Sequence, residues 1–290
     1  MNIIDCDHIS FRRGKKPVLK GLSLQIREGE FVALIGHNGA GKSTLIKLLL
    51  GLLKPAAGNI SVLGAKPGSR PENIGYLPEH ASFYDGMTFE ENLRYFADLK
   101  GVNRERVGQL LSSLGLSGVA KQKLAHCSKG QRQRLGLAQS LLGEPKLLFL
   151  DEPTVGLDPM ASDFMYRELL KLRKKGCTVI VCTHELSLVE GFIDRAVILS
   201  SGTKVADGGI AELTRKLDLF FELVSSFAVK AAKSDSHLSP GLIANHLYSK
   251  SSELNETLGY LKDRYGITDV DVRSPSLLDI YKAALGQKEE

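Results

Sequence analysis

Eight residues, GHNGAGKS from Gly36 to Ser43, constrain the fold more than any other part of the chain. They follow an apolar run, Phe31-Val32-Ala33-Leu34-Ile35, and precede a helix former, Thr44-Leu45-Ile46-Lys47-Leu48-Leu49-Leu50. This is the spacing of a phosphate-binding loop between a strand and a helix. Gly36, Gly39 and Gly41 let the backbone turn its N–H groups inward onto phosphate oxygens. The positive end of the helix acts on the same spot. Nucleotide phosphates are therefore expected against Gly36, His37, Asn38, Gly39, Ala40, Gly41, Lys42, Ser43 and Thr44. Lys42 is expected to reach the β- and γ-phosphates, and the Ser43 hydroxyl to ligate Mg²⁺.

A second apolar run, Leu147-Leu148-Phe149-Leu150, ends in two adjacent carboxylates, Asp151 and Glu152. At the carboxyl end of a buried parallel strand they would face the ligand. Two neighbouring carboxylates need different tasks. Asp151 is expected to hold Mg²⁺ through water, and Glu152 to orient and polarise the attacking water as general base.

Around these runs the chain reads in three parts. Residues 1 to about 80 alternate strands with turns, at Val18 to Ile26, Phe31 to Ile35 and Gly58 to Leu63. Residues 85 to about 140 read as a helical insert that ends in the helix Gly130 to Leu142. Its first helices are Phe89 to Leu99, with Leu93, Phe96, Ala97 and Leu99 on one face, and Val107 to Leu114. Strand and helix alternate again up to residue 199, with strands Leu147 to Leu150, Thr178 to Cys182 and Ala196 to Leu199. That alternation predicts an α/β domain over 1–215, a buried parallel sheet with helices on both faces. Residues 216–290 read as a small α+β part. Its expected elements are a strand Phe220 to Val229, a polar break from Lys233 to Gly241, a helix Ser252 to Arg264, a strand Thr268 to Val272 and a helix Ser276 to Leu285. Ser274 or Ser276 could cap that last helix, with Pro275 in its first turn.

Composition narrows the class. Of 290 residues 43% are hydrophobic and 24% charged, the balance of an ordinary globular protein. No uninterrupted apolar run reaches membrane-spanning length. The N-terminus MNIIDCDHIS lacks the layout of a signal peptide, so a cytoplasmic location is expected. Cys6, Cys127, Cys177 and Cys182 have no disulfide-scaffold spacing and are expected as thiols. A net charge of +5 permits contact with an anionic membrane surface but does not argue for nucleic acid.

The phosphate loop, the S-x-G-Q turn at Ser128 to Gln131, the strand ending in Asp151-Glu152 and the later Thr183-His184 together resemble the ABC ATPases, over about residues 1 to 210. The resemblance implies a P-loop NTPase fold and a head-to-tail homodimer with two ATP molecules sandwiched between subunits. Ser128, Lys129, Gly130 and Gln131 match the signature loop, which would cap the γ-phosphate held by the partner. The position at the start of a helix suits that task. Gly156, Leu157 and Asp158 match the loop that crosses the dimer axis. His184 matches the switch histidine at the γ-phosphate. Glu79 stands where the family has a glutamine that ligates Mg²⁺.

Three positions depart from the family pattern. Arg13 replaces the aromatic residue that stacks on adenine; its guanidinium can stack, and Phe11, two residues away, is expected on the same strand face. Glu79 replaces the glutamine. Cys127 and Lys129 stand where leucine and glycine are commoner.

GYLPE (Gly75 to Glu79), Phe83-Tyr84, the long run from Ser128 to Pro159 and SPSLLDIY (Ser274 to Tyr281) are also similar to NosF-type ATPases, the ATP-binding subunits of the Nos maturation transporter. That similarity implies a role in copper-site assembly of nitrous oxide reductase. It also implies a NosY-like membrane subunit, with the ATPase peripheral on its cytoplasmic side, and through it a NosD-like periplasmic copper-handling protein. ABC-2-type exporters of drugs, lipids or ions share much of the pattern. A soluble ABC ATPase unlinked to transport is the remaining alternative, although the second ATPase unit or long coiled coil usual in such chains is not seen. Cys182 and His184 are separated by one residue, so in a strand they would point to the same side, and thiolate plus imidazole would suit copper. Cys177 and Cys182, however, flank a buried β-branched strand and His184 is assigned to the phosphate, so no copper is expected on this subunit.

Overall fold

The computed structural model describes residues 1–286. The last four residues of the expected 216–290 part lie outside the described residues. The chain forms two compact units, Met1–Val205 and Ala206–Glu290. The division comes at Val205, earlier than the expected residue 215.

The first unit opens with β1 (Asn2–Arg13), β2 (Lys16–Arg27), β3 (Phe31–Ile35), α1 (Lys42–Leu49), β4 (Ala57–Val62) and β5 (Ile74–Leu77). A helical section follows, α2 (Phe89–Lys100), α3 (Glu105–Ser113) and α4 (Lys129–Ser140). The chain then runs through β6 (Leu147–Asp151), α5 (Pro159–Lys174), β7 (Thr178–Thr183), α6 (Leu186–Val189), β8 (Arg195–Ser200) and β9 (Thr203–Gly208).

The central sheet has the order β5-β6-β7-β3-β8-β9. The pairings from β5 across to β8 are parallel. Every residue of β3, β6 and β7 is buried. A strand covered on both faces cannot alternate, which is why FVALI, LLFLD and TVIVCT read as continuous apolar runs. The order has a functional consequence. β3, β6 and β7 lie side by side and run the same way, so their carboxyl ends share one edge. The phosphate loop, Asp151-Glu152 and Thr183-His184 arrive there together.

A second sheet, β2-β1-β4, is antiparallel. Leu19, Leu22, Leu24 and Ile26 of β2 join the core together with Ile4 and Ile9 of β1. The helical section is punctuated by local signals. Thr88 and Glu91 form a capping box at the start of α2, and Gly101 closes that helix in the left-handed conformation.

The second unit contains α7 (Ile210–Lys216), β10 (Phe220–Val224), α8 (Ser226–Ala232), β11 (Leu242–Ile243), β12 (His246–Lys250), α9 (Leu254–Tyr265), β13 (Asp271–Arg273) and α10 (Leu277–Ala284). Its sheet, β11-β12-β10-β13, is antiparallel throughout. The strand expected over Phe220 to Val229 stops at Val224. Ser225 accepts a hydrogen bond from the Ala228 N–H and starts a helix instead. The strand expected at Thr268 to Val272 is the shorter Asp271–Arg273. Ser276 caps the last helix, accepting from the Asp279 N–H.

Candidate active site

The loop after β3 closes tightly on itself. A Cβ on Gly36 would stand 2.5 Å from the Leu199 carbonyl oxygen and 2.9 Å from the Ala40 Cβ. Gly41 has φ 109°, and a Cβ there would lie 2.7 Å from Leu19 Cδ2. Only glycine fits at both positions. Gly41 caps α1 without a side-chain acceptor, so the N-terminal N–H groups of the helix remain for a ligand. His37, Asn38, Gly39 and Ser43 are exposed, whereas Ala40 and Lys42 are buried. Lys42 Nζ donates to the Gly36 carbonyl at 2.5 Å, which folds the cation back into the loop. Thr44 follows in the first turn of α1, half-buried.

Asp151 and Glu152 are buried at the end of β6, 5% and 8% exposed. Burial raises the Asp151 pKa, and the Glu152 and Glu79 carboxylates push the same way. Hydrogen bonding to Ser43 and the Lys42 charge oppose them. Ser43, Glu79 and Asp151 thus act on one another at one place. The set offers hydroxyl and carboxylate oxygens, the hard donors that Mg²⁺ takes. Among the described residues no cluster of three or more His, Cys, Asp or Glu stands ready to hold a metal alone. A Mg²⁺ ion here would share its coordination with substrate phosphates and water, as is usual for this ion.

Glu152 sits in the left-handed region, φ 51°, which a side chain other than glycine seldom adopts. Its backbone N–H donates to the Cys182 carbonyl at 2.8 Å, tying β6 to β7. His184 holds both carboxylate oxygens of Glu152. Its Nδ1 lies 3.0 Å from Oε1, and its backbone N–H donates to Oε2 at 3.3 Å. The His184 side chain is more than half exposed. One flank of the Glu152 carboxylate is therefore fixed by a group that can swing towards solvent.

Ser128 and Gln131 form a capping box at the start of α4. The Ser128 hydroxyl accepts from the Gln131 N–H at 3.2 Å, and the Gln131 side chain accepts from the Ser128 N–H at 2.9 Å. Lys129 is exposed, and its amine covers Gly156 (φ 70°) where a Cβ would project. Gly130 approaches Leu157 and Ala161, whose side chains lie 3.9 and 3.8 Å from its Cβ position. Asp158 caps α5, accepting from the Ala161 N–H at 2.8 Å. The 128–131 and 156–158 loops are thus one corner of the molecule, a contact that sequence spacing did not show. Among the described residues no hydrogen bond or ion pair joins Ser128, Lys129, Gly130 or Gln131 to the phosphate loop.

Two expectations drawn from strand alternation change. Register irregularities on either side of Phe11 interrupt β1, so a shared face with Arg13 no longer follows. Phe11 packs against the core and Arg13 is exposed near the hairpin tip. Likewise β7 ends at Thr183. Cys182 is fully buried, and burial, with Asp151 beside it, pushes its thiol well above the ordinary range. His184 lies outside, so the two do not present a shared thiol–imidazole face.

The ABC transporter family model matches residues 19–155. The Nod factor export ATP-binding protein I of Rhizobium etli is 31% identical over 100% of this chain and 95% of its own length. The chain belongs to the ABC transporter ATP-binding proteins. An uncharacterized ABC transporter ATP-binding protein of Nostoc sp. is 42% identical over 67% of this chain; the match spans 61% of that relative's length. Among solved structures, the dimeric post-hydrolysis state of the ATP-binding cassette MJ0796, bound to ADP and Pi, superposes with a TM-score of 0.65. It is 26% identical, covering 71% of this chain and 98% of that one. The fold is accordingly that of an ABC ATPase, and the described residues include no helix long and apolar enough to cross a membrane. Tyr166, which sequence reasoning passed over, also belongs to this site. It is fully buried on α5 and touches the elements that carry Glu152 and His184.

Proposed function

We propose that this ABC ATPase hydrolyses ATP as the motor of a membrane transporter that supports copper-site assembly of nitrous oxide reductase. The observation that carries the hydrolytic part is the carboxylate of Glu152. It is buried beside Asp151, at the edge where the phosphate loop emerges, and is held on one side by His184.

The chemistry follows from these groups. ATP lays its β- and γ-phosphates on the N–H groups of Gly36 to Thr44, and Lys42 exchanges the Gly36 carbonyl for phosphate oxygens. Ser43, Asp151 and Glu79 would hold Mg²⁺, which would supply neutralisation of phosphate charge. Glu152 accepts the proton of the attacking water and aligns it with the γ-phosphorus. His184 leaves Glu152 and donates to the γ-phosphate, freeing the carboxylate for water. Arg13 lies against the adenine. Ser128, Lys129, Gly130 and Gln131 face the ATP held by a second copy, so each homodimer has two sites that close together; Gly156, Leu157 and Asp158 cross between them. The grouping of 128–131 with 156–158, apart from the phosphate loop, supports this division. So does the dimeric state of the MJ0796 cassette. The helical section and the loop at Glu79 receive a membrane subunit of the NosY type, linked to a periplasmic NosD-like protein.

The segments GYLPE, SKGQRQRLGLAQSLLGEPKLLFLDEP and SPSLLDIY support the Nos reading. A second reading, an exporter ATPase, is favoured by the end-to-end similarity to a Nod factor export ATP-binding protein. Affinity purification from native membranes tests between them. Recovery with a multi-spanning permease and a periplasmic copper-binding protein supports the first; recovery with an exporter permease overturns it.

The carboxylate at Glu79 gives a separate expectation. Its side chain is about half exposed, and glutamine keeps an oxygen that could still face Mg²⁺. Glu79→Gln is therefore expected to keep basal ATPase activity of the isolated subunit. The loss should be in stimulation by the membrane subunit. Abolished basal hydrolysis would contradict the assignment.

A further inference from the structure

Behind the Glu152–His184 pair lies a buried cluster of hydroxyl groups. Thr154 and Thr183 are fully buried and flank the pair in sequence: Thr154 is two residues beyond Glu152, and Thr183 immediately precedes His184. The Thr154 hydroxyl donates to Glu185 Oε2 at 2.5 Å. The Glu185 N–H donates to Thr183 Oγ1 at 2.9 Å. Glu185 therefore links the two segments from the outside.

Tyr166 closes the cluster from the inside. Its ring is fully buried and stacks on Phe192, with centroids 5.1 Å apart and planes 19° from parallel. Burial raises its pKa to about 12, partly offset by the neighbouring Thr154 and Thr183 hydroxyls and reinforced by Glu185 and Glu152. Yet the Tyr166 hydroxyl makes no formed hydrogen bond among the described residues. A buried phenol without a partner is costly. α5 is a 16-residue helix anchored by Pro159 and the Asp158 cap. The phenol is thus held by a long capped helix beside the segments that carry Glu152 and His184.

We propose that Tyr166 is a positioning residue for hydrolysis: its buried, unpartnered hydroxyl, beside Thr154 and Thr183, biases the segments bearing Glu152 and His184 towards the arrangement in which His184 leaves Glu152. The idea rests on the roles proposed above for Glu152 and His184. When the Thr183–His184 end moves towards the phosphate, a threonine oxygen accepts the phenol proton. The gain in that hydrogen bond favours the hydrolytic arrangement over the one described here. Tyr166 touches neither ATP nor water in this account.

Tyr166→Phe separates this role from a packing role. The substitution keeps the ring and its stacking on Phe192, and it removes only an unpaired hydroxyl, so thermal stability should hold or rise. ATPase kcat is expected to fall about fivefold to tenfold, with KM for ATP unchanged within about twofold, as for an interaction made only on the way to the transition state. Tyr166→Leu, which also loses the ring, should lower both kcat and Tm. An unchanged kcat in Tyr166→Phe overturns the proposal, and so does a kcat loss matched by a fall in Tm. Glu152→Gln, measured alongside, tests the underlying reading. If it still turns over, that reading fails; if it is dead while Tyr166→Phe is fully active, only the Tyr166 proposal fails.

Discussion

Glu152→Gln is expected to lower ATP turnover by about 10²- to 10⁴-fold, the range of a lost general base, while ATP binding persists. The replacement is nearly isosteric. It keeps the φ 51° backbone, the N–H bond to the Cys182 carbonyl and a polar side chain beside His184. What it removes is the ability to accept a proton from water. The pair of carboxylates at the end of β6 makes this a sharp test. Asp151 is held partly by Ser43, and burial raises its pKa. It is a poor substitute base, because its carboxylate is engaged by the Ser43 hydroxyl. A Glu152→Gln protein that releases phosphate at the native rate would move the catalytic role elsewhere. Phosphate release under saturating ATP, with a parallel measurement of bound ATP, separates the two outcomes.

Lys42→Ala is expected to act earlier, on binding. Lys42 is the one lysine or arginine buried among the described residues, 7% exposed, with Asp151 within electrostatic reach. Its ammonium is already desolvated and aimed along the loop by the bond to the Gly36 carbonyl. Such a preorganised charge is worth far more to a phosphate than a surface lysine. Its removal should cost about 10²-fold or more in kcat/KM, the scale of a lost electrostatic clamp. Affinity for ATP should weaken as well, because the buried carboxylates then face the phosphates without a compensating cation. Fluorescent-nucleotide titration and steady-state ATPase assays read the two effects. Lys42→Ala with native affinity and turnover would contradict the placement of the phosphates on this loop.

The parts of the fold that were legible in the sequence are those written by local rules. The strand–loop–helix at Phe31 to Leu49 carries its own punctuation, since Gly36 and Gly41 tolerate no side chain. The buried strands β6 and β7 announce themselves as unbroken apolar runs, because both faces are covered. Ser276, one of the two serines that could cap the last helix, does so; the Ser128–Gln131 capping box had not been foreseen.

What stayed hidden depends on tertiary placement. Phe220 to Val229 is apolar enough for a strand, but the Ser225 side chain offers its oxygen to the Ala228 N–H and turns the chain into α8. The irregular register around Phe11 defeats a two-residue alternation rule. In the site, Glu152 and His184 were named separately, whereas their mutual grip needs β6 and β7 to be neighbours. Tyr166 had no motif to mark it. Its place behind the pair is set by how α5 crosses the sheet. The contact between the Lys129 amine and Gly156 likewise joins residues far apart in sequence.

Division of each site between two copies of the chain is tested by the mass of the Glu152→Gln protein in solution. The chain has a mass of 31.6 kDa. With ATP and Mg²⁺ a stable species of twice that mass, holding two ATP molecules, is expected. Ser128→Arg in the same background should return it to the monomer, because the helix end at 128–131 is then blocked. A Glu152→Gln protein that binds ATP tightly and remains at the monomer mass would contradict the divided site.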